Sequence, residues 1–166
     1  KYVDINKDGV YNDADQGIIG CGQPTFNWGW NNTFNYKNFD FSFFVVGFHG
    51  FDIYNATHQM GYNLIKSQQV AGVTPMRELL NRWTPTNTNT NIPGFVNGGT
   101  ENKDFFSTRF VENGSFIKMK SITLGYTLPE TACRALGITN LRVYASVQNP
   151  FHITNYSGLD PEATMG

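Results

Sequence analysis

From Phe26 to Tyr36 the even positions hold Phe26, Trp28, Trp30, Asn32, Phe34 and Tyr36, while Asn27, Gly29, Asn31, Thr33 and Asn35 lie between them. Successive side chains on a β-strand point to opposite faces, so this run builds one aromatic face and one face of small polar groups. A helix, with about 3.6 residues per turn, would scatter the same rings around its circumference. After Lys37-Asn38 the pattern resumes, with Phe39, Phe41, Phe43 and Val45 against Asp40 and Ser42. A hairpin of two long strands joined by a tight turn is expected.

A third strand is expected from about Ser115 to Leu128, where Ile122, Leu124, Tyr126 and Leu128 alternate with Ser121, Thr123, Gly125 and Thr127. Pro129 to Leu136 suits one short helical turn, with Pro129 at its first position and Gly137 as its stop. A fourth strand, Leu141 to Gln148, sets Leu141, Val143, Ala145 and Val147 against Arg142, Tyr144, Ser146 and Gln148. Residues 48–113 differ in character. Thr74-Pro75 reads as a helix cap, and Met76, Leu79, Leu80 and Trp83 recur at helical spacing before Pro85. Trp83 is expected as a core residue of that loop helix rather than as a platform for stacking a sugar. Thr84 to Asn91 and Gly94 to Gly99 read as exposed loop.

Alternation alone does not separate a soluble sandwich from a membrane barrel. Strand length does, because globular strands average about 5–6 residues and membrane-spanning strands need about 9–11. The connections run short, long, short, as in outer-membrane barrels. Tyr36, Phe39 and Tyr126 beside the short links would form part of an aromatic girdle. Charged residues make up 15% of the chain, below the usual share of about 25%. A net charge of -1 gives no basic face for nucleic acid. The fold class expected is therefore all-β, an antiparallel transmembrane β-barrel segment of about four long strands with a short helix in its long extracellular loop, 48–113. Four strands cannot close a cylinder, and open edges in hydrocarbon leave backbone groups unpaired, so other segments must complete it. Lys1 is not an initiator Met and no signal peptide is visible, so an earlier segment is expected to be missing. Lys118 and Lys120 fall on the apolar parity of the third strand and are expected at a headgroup region or beyond the membrane.

The segment Asp4–Asp15 places oxygen side chains at positions one, three, five, nine and twelve of a loop of the EF-hand kind, with Gly9 at the sharp sixth position. Calcium is the cofactor this spacing suits, the alternative being an Asx-rich turn that stays metal-free. Its ligands would be Asp4, Asn6, Asp8, the Val10 carbonyl and Asp15, with Asn12 acting through water. No flanking helices are evident, so a paired EF-hand is not expected. Cys21 and Cys133 fall at opposite ends of long strands and should not pair. His49, His58 and His152 are isolated, and no nucleophile elbow or phosphate-binding loop occurs, which argues against an enzyme. A secreted soluble β-rich module binding calcium or carbohydrate is the alternative; it would seal Trp28, Trp30, Phe41 and Phe43 inside.

The ordered series of motifs resembles the C-terminal part of SusC/RagA-type TonB-dependent outer-membrane transporters. The series comprises the Asp4–Asp15 loop, Ile18-Ile19-Gly20, Asn27 to Tyr36 with Lys37-Asn38-Phe39-Asp40, and Arg82-Trp83-Thr84-Pro85. It continues with Phe110 to Tyr126 and with Val147-Gln148-Asn149-Pro150-Phe151 through Tyr156-Ser157-Gly158-Leu159-Asp160-Pro161-Glu162. The resemblance covers nearly the whole chain, 1–166. It implies a 22-stranded barrel in the Gram-negative outer membrane, plugged by an N-terminal domain that this chain lacks, as it lacks the final strand. It also implies import of glycans or peptides, with a SusD-like surface lipoprotein as lid and TonB engaged through the absent N-terminal region. The Asp4–Asp15 loop, the 48–113 loop and the Phe151–Gly166 segment would then lie outside the cell. Asn149-Pro150-Phe151 departs from the family, which more often has Leu where Pro150 stands.

Overall fold

The computed structural model describes residues 3–10, 13–62, 76–92, 94 and 107–164. In chain order its elements are β1 (Phe26–Tyr36), β2 (Phe39–His49), β3 (Asp52–Tyr54), α1 (Ala56–Tyr62), β4 (Val111–Asn113), β5 (Phe116–Thr127), α2 (Glu130–Ala135) and β6 (Arg142–Thr154). The four long strands form one antiparallel sheet in the order β1-β2-β5-β6, and β3 pairs with β4 in a separate two-stranded sheet. The chain divides into two compact units, Lys1–Gly20 with Tyr54–Val111, and Cys21–Ile53 with Glu112–Gly166.

The second of these units contains the long sheet. Trp30 pairs with Val45, Phe34 with Phe41 and Tyr36 with Phe39, so the apolar parities of β1 and β2 share one face as their alternation requires. Phe41 and Phe43 in turn face Leu124 and Ile122 of β5. Rings interlock across the strands: Trp30 meets Phe43 edge-on at 5.2 Å, and Phe39 lies 4.6 Å from Tyr126 beside the turn. The turn itself places Lys37 at φ 53, and Asn38 is tied to β5 by its side-chain amide, which donates to the Thr127 carbonyl at 2.8 Å. Strand lengths of 11, 11, 12 and 13 residues exceed the globular norm of about 5–6. Eleven residues rising about 3.4 Å each and tilted about 45° span about 26 Å of height, the thickness of a barrel's apolar band.

β6 continues to Thr154, well past the Gln148 end expected from alternation. The reason is a bulge. Ser121 pairs with Gln148 but Met119 pairs with Phe151, so Asn149 and Pro150 stand opposite Lys120 alone. Asn149 takes φ 49, and Pro150, which has no N–H to give to a ladder, is accommodated where the ladder is already broken. Against β2 the same place is irregular, since Phe44 pairs with Ser121 and Val45 with Met119. Lys120 is the extra residue, and passing it reverses the face on which β5 residues project. Lys118 and Phe116 therefore share the face of Val46 and Phe48, opposite to the aromatic band. On that face lies a core of Val46, Phe51, Ile53 and Phe116, with Phe48 and Tyr156 packed against it.

α2 begins at Glu130, with Pro129 as its N-cap residue rather than its first helical one. It ends as expected at Gly137, whose φ of 71 allows the Ile138 N–H to reach the Cys133 carbonyl at 3.0 Å and its own N–H to reach that of Arg134 at 3.1 Å. Cys133 is buried, Cys21 is exposed, and both are free thiols.

In the other unit, α1 was not legible in the periodicity. It is capped by Asn55, whose Oδ1 accepts the His58 N–H at 2.9 Å. The helix expected over Met76–Trp83 is a 3-10 turn, Arg77–Asn81. Leu79 is buried, whereas Leu80 is exposed. Trp83 lies beyond the turn, half-exposed, its N–H donating to the Ile92 carbonyl at 2.8 Å, so it is not a core residue of a helix. The chain has already become extended at Arg82, two residues ahead of Thr84, which Pro85 biases away from helical backbone. Thr74-Pro75 and most of the Gly94–Gly99 loop lie outside the described residues.

Candidate functional site

The face of the sheet that carries Lys118 gathers charge at the Phe116 end of β5. Lys118, only 6% exposed, donates from Nζ to Asp160 Oδ2 at 2.6 Å and to Glu162 Oε2 at 2.7 Å. Lys120 pairs with the other oxygen of Glu162. Lys118 does not share the aromatic face, as its parity had suggested; the bulge turns it to the opposite face, onto the two carboxylates. Pro161, fully buried between those two acidic residues, anchors the 3-10 turn Pro161–Thr164. Burial pushes the Asp160 carboxyl up, but the Lys118 ammonium and the Glu162 N–H outweigh it and hold it below the usual carboxylate range. Hydrogen bonds from Lys118 and Lys120 hold Glu162 below that range too. Both are therefore ionised at neutral pH, which a buried ammonium requires of its partners. Burial raises the Tyr156 phenol, with the Glu112 charge adding to the effect.

Near the opposite end, Asp40 of β2 and Arg142 of β6 join across the strand between them. The guanidinium donates through Nε at 3.0 Å to Oδ1 and through Nη2 at 2.5 Å to Oδ2. They meet directly over Gly125, where any Cβ would stand 2.4 Å from the Asp40 carboxylate. Glycine at this point of an otherwise alternating strand leaves room for the ion pair, which any larger residue would make shift. Arg142 also lies 5.0 Å over the Tyr144 ring. Tyr144, Ser146 and Gln148 continue this polar face, on which Thr123 and Ser146 are hydrogen-bonded at 2.9 Å.

The aromatic face has no partner among the described residues. Trp30 and Phe34 are each 55% exposed, and Tyr36, Phe39, Leu124, Val143, Val147 and Ile153 are exposed with them. Such a contiguous band far exceeds what a water-soluble monomer normally displays. It is not sealed into a core, as the soluble alternative would need. Among the described residues no helix is long and apolar enough to cross a membrane.

The calcium-like loop is folded as a tight turn. Asp4 accepts the Asp8 N–H at 3.2 Å and the Gly9 N–H at 2.8 Å, and Asn6 accepts the Asp8 N–H at 3.1 Å. Asp8 accepts the Val10 N–H at 2.8 Å. Asp15 returns to the start of the loop and accepts the Ile5 N–H at 2.8 Å. Gly9 has φ 82, the backbone the sixth position demands. Asn12 lies outside the described residues. Among those described, no three His, Cys, Asp or Glu side chains are gathered closely enough to hold a metal ion.

An antiparallel sheet of membrane-length strands with a lipid-suited aromatic face, a polar opposite face and two open edges defines a segment of an outer-membrane β-barrel. Known proteins give that class its family. The chain is 35% identical over 162 residues to the TonB-dependent receptor P3 of Formosa agariphila, and 31% identical over 166 residues to the TonB-dependent receptor SusC of Bacteroides thetaiotaomicron. These alignments cover 98% and 99% of the chain, which spans 15% of the length of either relative. The fold matches a solved structure of the RagAB peptide importer in its open-open state with a TM-score of 0.69 and 26% identity, over 86% of this chain and 15% of that one. The closed-closed state matches with a TM-score of 0.68. No family profile matches the chain. The chain belongs with the TonB-dependent receptors of the SusC and RagA kind, as a segment of their barrel.

Proposed function

We propose that the chain forms part of the wall of an outer-membrane nutrient importer in a Gram-negative cell, one that takes up oligosaccharides or peptides with a SusD-like surface lipoprotein and is energised through TonB. The observation that carries this reading is the exposed aromatic face on strands of 11 to 13 residues, backed by a polar face. The relatives named SusC and RagAB support the transport class. The Asp4–Asp15 loop and residues 48–113 then lie on the outer side of the membrane, where Asn-rich and aromatic groups suit sugars or peptides. Deleting the gene for the full-length protein should abolish growth on one class of oligosaccharide or peptide and spare growth on monosaccharides and free amino acids. Unchanged growth on every polymeric nutrient tested, with the protein expressed in the parent strain, would overturn the assignment.

The same reading extends to calcium in the Asp4–Asp15 loop. The donors are all oxygen, which suits a hard cation, and Gly9 and the inward-turned Asp4, Asn6 and Asp8 support the loop geometry. Asp4, Asn6, Asp8, the Val10 carbonyl and Asp15 would hold the ion. In the full-length protein, millimolar calcium should slow proteolysis within this loop, and Asp8→Ala should erase that protection. Equal cleavage with calcium and with chelator in the unsubstituted protein counts against a metal.

A further inference from the structure

The two short connections of the sheet are built differently. Lys37 and Asn38 alone join β1 to β2, whereas the chain between β5 and β6 makes α2 and its Gly137 stop. At this end of the sheet the pairs Tyr36–Phe39, Phe39–Tyr126 and Tyr126–Val143 draw one row across all four strands, on the aromatic face. Tyr36, Phe39 and Val143 are exposed in that row, which is where the girdle of a barrel meets the lipid headgroups. Lys37 holds its ammonium 5.4 Å over the Tyr36 ring, a cation at the same level. The ladder continues one step past the row, since the Leu128 N–H donates to the Leu141 carbonyl at 2.9 Å. Leu141 stands two residues before Val143, shares its parity and is exposed like it, so the lipid face runs on into the connection.

α2 has two unlike sides. Glu130 and Arg134 pair with each other at 3.2 Å, both largely exposed. Cys133 is buried, its Sγ lying 3.7 Å from the Leu128 carbonyl, which fixes the helix to the end of β5. Leu136 is 64% exposed, and at about 100° per residue it projects about 160° away from Arg134. Ile138 and Leu141 follow it and are exposed as well.

We propose that this connection is a foot resting on the phospholipid leaflet on the side away from residues 48–113. Leu136, Ile138 and Leu141 sit among the acyl chains near the headgroups, and the Glu130–Arg134 pair stays in water. A short segment with one apolar and one charged side lies in the interface in this way. Lipid is the occupant that continuity selects, because the acyl chains that cover Val143 and Val147 reach Leu141 without a break. The foot rests on the reading of the sheet as a barrel wall and not on what that barrel imports.

Spin labels on the full-length protein in phospholipid liposomes test it. Leu136→Cys, Arg134→Cys and Val147→Cys are each made together with Cys21→Ser; Cys133, being buried, escapes labelling. Oxygen concentrates in lipid and a nickel chelate in water, so the ratio of the relaxation each causes reports what surrounds the label. The ratio at 136 should exceed that at 134 by about tenfold and approach that at 147. A ratio at 136 no higher than at 134, with a lipid-like ratio at 147, overturns the foot and leaves the barrel wall in place. A label at 136 that neither reagent reaches overturns it too, since protein then covers these side chains. A water-like ratio at 147 overturns the wall and the foot together.

Discussion

Replacing Phe43 by arginine should cost the membrane-inserted barrel about 2–4 kcal/mol, the penalty for a charge on the lipid face near mid-depth. Phe43 lies in the middle of β2, opposite Asn32 on one side and Ile122 on the other, with Trp30 and Phe34 rings against it. Two companion variants give the result its meaning. Ser42→Arg, one residue away, projects among Thr33 and Thr123 on the polar face and should change stability by less than about 1 kcal/mol. Phe43→Leu should also cost less than about 1 kcal/mol, because acyl chains fill the volume that a rigid core would leave as a cavity. Urea unfolding of the full-length protein from liposomes measures all three. Equal losses for Phe43→Arg and Ser42→Arg would show that the two faces do not meet different solvents.

Phe116→Ala should be the costliest truncation in the sheet, at about 3–5 kcal/mol. Phe116 is 2% exposed, stacked on Phe48 at 5.1 Å and edge-on to Phe51 at 6.3 Å. Here the surroundings are protein rather than lipid, so they cannot flow into the gap. The same unfolding experiment should place this variant well below Phe43→Leu. If both ring truncations cost alike, the contrast between a packed end and a lipid-bathed middle fails. The loss should also loosen Tyr156, which packs on the same cluster, and so connects this core to the segment that follows β6.

The hairpin, its turn at Lys37-Asn38, the pairing of apolar parities and the Gly137 stop of α2 were all legible in order along the chain. Each depends on neighbours close in sequence or on a period of two, and such signals survive without knowledge of the fold. The bulge at Lys120 was not legible, since it exists only in relation to β2 and β6. Misjudging it placed Lys118 and Lys120 on the wrong side and ended β6 at Gln148. Asn149-Pro150 was the available signal: a proline inside an apolar run marks an edge or a bulge. The helix expected over Met76–Trp83 failed for another reason. Helical spacing of four apolar residues does not specify burial, and only Leu79 found a core.

By itself, the sequence determined that this chain makes long two-faced strands and that one face is built of rings, because side-chain alternation is a local property of the extended backbone. Which lysine would be buried, and against which carboxylates, was decided only in the folded sheet. A partner 42 residues away in sequence becomes a neighbour through strand pairing, and a single extra residue in one strand reverses the direction in which every side chain beyond it projects.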